Sequence, residues 1–69
     1  MERQSVSSSN INSIGYDEET QILEIEFNHG GIYQYFGVSE SEYNGIMNAG
    51  SIGTYFHDNI KDKYNYSKV

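Results

Sequence analysis

The sequence predicts an α+β domain: a three-stranded antiparallel β-meander followed by two short helices packed on one face. Three observations carry that expectation. Gln21 to Val38 holds two segments of alternating character around Asn28-His29-Gly30-Gly31, a reversal rich in residues that tolerate positive φ. Ser39-Glu40-Ser41-Glu42 has the form of a helix capping box. Gly50-Ser51 then separates two stretches whose apolar residues recur at helical spacing.

Taken in order, residues 1–10 are polar and end in Ser7-Ser8-Ser9-Asn10, so they read as a flexible lead-in with Val6 packing at its edge. A single domain is expected over residues 11–66. Ile11 to Tyr16 reads as the first strand, and Asp17-Glu18-Glu19-Thr20 as turn chemistry. These acids lack the regular spacing of a calcium loop. The second strand carries Leu23, Ile25 and Phe27 on one face, with Glu24 and Glu26 on the other.

The third strand offers two apolar faces, Tyr33 with Tyr35 and Ile32 with Phe36 and Val38, and the turn decides between them. A two-residue loop at His29-Gly30 would pair Phe27 with Ile32 and bury Gln34. One extra residue would place Tyr33 and Tyr35 on the core face instead. Burying an unpaired glutamine amide is unfavourable, whereas a tyrosine buries its ring and can keep its hydroxyl wet. The bulged register is therefore expected.

Ser39 should cap the first helix, with Glu42 reaching back and Tyr43, Ile46 and Met47 forming its apolar stripe. Gly50 should end it. Ser51 should cap the second helix, from Ile52 to about Lys61, in which Gly53 either weakens the first turn or permits close backbone approach. The expected core is Ile14, Leu23, Ile25, Phe27, Tyr33, Tyr35, Ile46, Met47, Ile52, Tyr55, Phe56 and Ile60. Tyr64 to Val69 should be ordered in part by its tyrosines.

At 69 residues the chain lies near the lower limit for a core that suffices alone. The absence of cysteine removes disulfides and Cys-based zinc sites, and fits a reducing compartment. No run approaches a membrane span, and the amino terminus has no signal-peptide core, so a soluble protein of the cytoplasm is expected (the host's, if phage-encoded). Ten acids against four bases give a formal charge of -6, which repels a polyanion unless the bases cluster.

Ordered along the chain, Ile14-Gly15-Tyr16-Asp17, Leu23-x-Ile25-x-Phe27, Gly31-x-Tyr33-x-Tyr35-x-x-Val38, Ala49-x-Ser51-x-Gly53-x-Tyr55-Phe56 and Ile60 resemble the KTSC domain. The resemblance covers roughly Val6 to Tyr64. That family occurs at the carboxyl end of some lysyl-tRNA synthetases and as small stand-alone proteins of bacteria and phages. It implies an RNA-binding role, suggested by the synthetase context and the central Tyr-x-Tyr. Members often have a proline where this chain has Ser39 and a base where it has Ile52, which removes a candidate phosphate contact.

The residues point to no catalyst, cofactor or metal. His29 falls in the hairpin turn and His57 on a helix surface, with no closely spaced ligand pair. Ser51 has a simpler role as a cap. A small non-enzymatic binding module is expected, docking on a protein through an acidic and apolar surface on the uncovered sheet face. Its residues are Ile22, Glu24, Glu26, Ile32, Gln34 and Phe36, and the same patch would serve a homodimer. An inhibitor carried by a phage or mobile element, set in the basic groove of a host defence protein, fits that charge and size. The alternative is an RNA-binding accessory domain using Lys61, Lys63, Tyr64, Tyr66 and Lys68, where bases and aromatics mix.

Overall fold

The computed structural model describes residues 1–69. Five strands and two helices follow in the order β1 (Arg3–Ser5), β2 (Ile11–Asp17), β3 (Ile22–Phe27), β4 (Ile32–Phe36), α1 (Glu40–Met47), α2 (Ile52–Asn59) and β5 (Tyr66–Lys68). The strands form one sheet in chain order, and every neighbouring pair is antiparallel. The α+β class and the two helices are as expected, but the sheet has five strands, not three.

Both additional strands are edges. The amino-terminal segment is more than a lead-in: Arg3, Gln4 and Ser5 pair with Gly15, Ile14 and Ser13. At the other edge Tyr66, Ser67 and Lys68 pair with Tyr35, Gln34 and Tyr33. Each edge strand is three exposed residues long. Such a strand buries no face of its own, so it shows no alternation to read.

The central hairpin adopts the register with the extra residue. Phe27 N–H donates to Gly31 O at 2.9 Å, and Gly30 N–H donates to Phe27 O at 2.8 Å. Gly30 sits at φ +103, which closes a three-residue loop with a bulge. Leu23 therefore faces Tyr35, Ile25 faces Tyr33 and Glu24 faces Gln34. A second irregularity between Ile11 and Ser13 lets both Ile11 and Ile14 turn towards the helices.

Ser39 caps α1 as the sequence indicates, its Oγ accepting from Glu42 N–H at 3.1 Å. Glu42 does not complete a box, because its carboxylate accepts instead from the hydroxyls of Tyr55 and Tyr64. The helix ends at Met47, ahead of Gly50, with Asn48 as its C-cap. Ser51 Oγ accepts from Thr54 N–H at 3.3 Å and caps α2. Gly53 permits close approach: a Cβ there would meet Asn10 Oδ1 at 2.6 Å, the far end of an exposed side chain that can swing aside.

The core is Ile11, Ile14, Leu23, Ile25, Tyr35, Val38, Ile46, Phe56 and Ile60. Phe27, Tyr33, Met47, Ile52 and Tyr55, expected inside, are half-buried against it. Ile11 and Val38 join it unexpectedly. Gly37 at φ +76 ends β4, so Val38 leaves the face of Ile32 and Phe36 and donates its N–H to Gln21 O at 2.9 Å.

Candidate functional site

Alternation along β3 and β4 sends Ile22, Glu24, Glu26, Ile32, Gln34 and Phe36 to the sheet face away from the helices, as the bulged register requires. No helix covers this face, but it is not one apolar patch. A polar ladder crosses its middle. Arg3 Nη1 donates to Glu24 Oε2 at 2.5 Å, Gln34 Nε2 donates to Glu24 Oε1 at 2.8 Å, and Arg3 Nε donates to Ser13 Oγ at 2.9 Å. Ser13 Oγ and Asn12 Nδ2 in turn donate to Glu26 Oε1.

Glu24 is only 7% exposed. Burial alone would raise its carboxyl, but hydrogen bonds from Gln34 and Arg3, with the guanidinium charge, hold it below the usual carboxylate range. The bonds from Asn12 and Ser13 lower Glu26 as well. The ladder divides the apolar residues. Ile22 pairs with the exposed Phe36 at one end of the face, and Ile32 lies opposite Glu26 at the other.

On the helix side, a cleft of about 660 Å³ opens between β1, β2 and the start of α1. Glu2, Asp17, Glu18 and Glu40 line it, with Tyr16 and Tyr43. Those two rings stack at 4.8 Å with 10° between their planes. Tyr16 is fixed by its hydroxyl, which donates to Val38 O at 2.6 Å. Burial and the charges of Glu40, Glu18 and Asp17 push that phenol upward, so it stays a donor at neutral pH. Asp17 pairs with Ile22, which pairs with Phe36, but neither apolar residue lines the cleft, and both belong to the opposite face of the sheet.

A second concavity, about 350 Å³, lies beside α2 near the central hairpin. Its lining is aromatic: Phe27, His29, Tyr33, Tyr35, Phe56 and Tyr66. Phe27 meets Tyr33 at 5.5 Å and Phe56 at 5.3 Å, both edge-on. Tyr66 leans on Tyr33 at 5.8 Å and on Tyr35 at 5.6 Å. Asn10, Lys61 and Asp62 supply the remaining polar atoms. The hydroxyls of Tyr16, Tyr55 and Tyr64 donate within the chain, whereas those of Tyr33, Tyr35, Tyr43 and Tyr66 do not, and no buried side-chain polar atom is left without a partner.

The basic and aromatic residues near the carboxyl end are thus divided. Lys61 and Tyr66 line the aromatic groove, and Lys68 lies opposite Tyr33 in register. Lys63 and Tyr64 border a separate depression beside Phe36, and Tyr64 is tied to Glu42 at 3.2 Å. His29 stacks on Phe27 at 5.5 Å, and His57 sits 3.3 Å from Asp58 on the surface. No cluster of three or more His, Asp or Glu is placed to hold a metal ion. No helix is long and apolar enough to cross a membrane. The sequence reading missed Phe27 and His29 as groove walls, although their spacing around the hairpin turn was visible.

A model of the KTSC domain matches residues 7–64. An uncharacterized protein of Stutzerimonas stutzeri is 37% identical over 70 residues, covering 100% of this chain and 99% of that one. A lysine–tRNA ligase of Nostoc punctiforme is 38% identical over 59 residues, covering 86% of this chain but 10% of the ligase. The chain thus spans about a tenth of that ligase. The crystal structure of a KTSC domain protein from Yersinia pestis superposes with a TM-score of 0.97 at 47% identity, over 99% of this chain and 96% of that one.

Proposed function

This chain belongs to the KTSC domain family, and from that premise we propose that it is a small non-enzymatic binding module that docks on a basic surface of another protein. The acidic cleft carries the reading. Four carboxylates, those of Glu2, Asp17, Glu18 and Glu40, line it with two stacked tyrosines, and the one guanidinium in the lining, that of Arg3, is already paired with Glu24. Arginine or lysine side chains of a partner would find carboxylates for charge pairing and ring faces for cation–π contact.

The formal charge of -6 steers such an encounter from a distance. The nucleic-acid groove of another protein is basic by its own function, so it is the class of surface this charge fits, including that of a host defence protein if the chain is phage-encoded. A region that recurs alone and within a tenth of a lysine–tRNA ligase has the character of an add-on recognition unit.

The test is retention of heparin-binding proteins from a cell lysate by the immobilised chain. Retention should be strong at low salt and fall steeply as salt is raised. The triple variant Asp17→Lys, Glu18→Lys, Glu40→Lys should retain none of them while unfolding at a similar temperature. Equal retention by wild type and variant would sink the reading.

A further inference from the structure

We propose that the free edge of β1 receives an extended basic segment of another protein as an added strand, whose alternate lysine or arginine side chains turn into the acidic cleft. The proposal rests on the reading of that cleft as a site for a basic partner, and adds how the partner is held.

The edge supplies the first reason. Val6 N–H donates to Asn12 O at 3.1 Å, and Gln4 lies level with Ile14 in the same ladder. Bonding in an antiparallel pair alternates along the strand, so Gln4 turns its backbone groups to β2 while Arg3 and Ser5 turn theirs outward. Because β1 is the first strand of the sheet, those outward N–H and C=O groups form its border. Such a border is a template for a further strand unless proline, lysine or a bulge blunts it. From Arg3 to Ser5 there is no proline, no lysine and no break in register, and Arg3 itself is engaged by Glu24.

The cleft supplies the second. Gln4 shares the helix-side face with Ile14, and the space between β1 and α1 is the cleft of about 660 Å³. A strand laid against β1 would sit about 5 Å farther out, with every second side chain turned to that face. Long basic side chains there would reach the carboxylates of Glu2 and Glu40 and the rings of Tyr16 and Tyr43. The side chains between them fall on the other face, level with Arg3, where Glu24 is already paired and offers a base nothing. The occupant therefore carries its bases at alternate positions, not in a run.

Charge selects the border and the occupant. At the opposite border β5 ends on Lys68, which repels a basic strand, whereas four carboxylates beside β1 attract one and repel a polyanion. This chain's own alternate pair, Lys61 and Lys63, flanks Asp62 at φ +64 in a turn, so a second copy offers no extended segment of this kind. The occupant comes from another protein.

The test uses the full chain, ¹⁵N-labelled, titrated with the end-blocked peptide Thr-Lys-Thr-Lys-Val-Lys-Thr and separately with its isomer Thr-Thr-Lys-Lys-Lys-Val-Thr. The alternating peptide should bind about fivefold to tenfold more tightly and slow amide exchange at Arg3 and Ser5. N-methylation of every second residue should abolish its binding in one phase and spare it in the other, because only one set of its N–H groups faces β1. Ser5→Pro, which removes an outward N–H at an edge position, should unfold at a similar temperature and weaken binding by a similar factor. Equal binding of the two isomers, lost in the triple variant Asp17→Lys, Glu18→Lys, Glu40→Lys, would overturn the added strand and leave the cleft reading standing. Tolerance of both methylation phases, unchanged exchange at Arg3 and Ser5, or undiminished binding by Ser5→Pro would do the same. Binding of neither peptide at millimolar concentration would overturn the cleft reading along with it.

Discussion

Removing the Arg3 guanidinium leaves the Glu24 carboxylate in the middle of the sheet with Gln34 as its remaining side-chain donor. An uncompensated buried charge is costly, but Arg3's side chain is 27% exposed, so water recovers part of the loss. Arg3→Ala should therefore destabilise the fold by about 1–2 kcal/mol in urea unfolding. The pH dependence follows from the lowered Glu24 pKa. The ionised form favours the folded state, so its contribution is complete above the unfolded-chain value near 4.5 and is lost as pH falls through the lower folded value. Melting temperatures measured from about pH 7 to about pH 3 should fall in that acid window, and Arg3→Ala should flatten the fall. Sequence alone placed Glu24 correctly on the polar side of its strand. It could not reveal the ladder, because Arg3 belongs to a segment with no pattern and meets Glu24 only once β1 has paired.

Between α1 and α2, Glu42 shows how a correct local signal can hide a tertiary role. The Ser-x-x-Glu spacing located the helix start, yet the carboxylate is taken by Tyr55 and Tyr64, which fasten α2 and the approach to β5 onto α1. A Cβ at Gly45 would collide with the Tyr55 hydroxyl. Gly45→Ala should therefore destabilise by about 1 kcal/mol or more even though alanine favours the helix, reversing the sign expected from propensity. Chemical unfolding decides it. In the hairpin, Gly30→Ala at φ +103 should cost about 1–2 kcal/mol in the same assay. The register was legible because a buried Gln34 and buried tyrosines have opposite energetic signs. Strands β1 and β5 were not, because an exposed edge leaves no hydrophobic period behind. Amide exchange should show the same division: slowest within β2, β3 and β4, fast in β1 and β5.

Taken whole, the molecule presents different chemistry on different sides. Carboxylates gather about the Tyr16–Tyr43 cleft, while Tyr33, Tyr35 and Tyr66 bound a groove beside α2. Composition announced the acidity and the tyrosine content, but only the fold shows that the lysines do not gather into one patch. The order of the strands has a mechanical corollary. In an antiparallel run of five, the first and last strands point the same way and occupy opposite borders. The amino end of β1 and the carboxyl end of β5 lie in neighbouring rows of the register: Arg3 is level with Gly15, Glu24, Gln34 and Ser67, and Lys68 with Tyr33, Ile25, Ile14 and Gln4. Tension applied between these two points would therefore run mainly across the strands, peeling each outer strand from its border one backbone bond at a time instead of loading those bonds together.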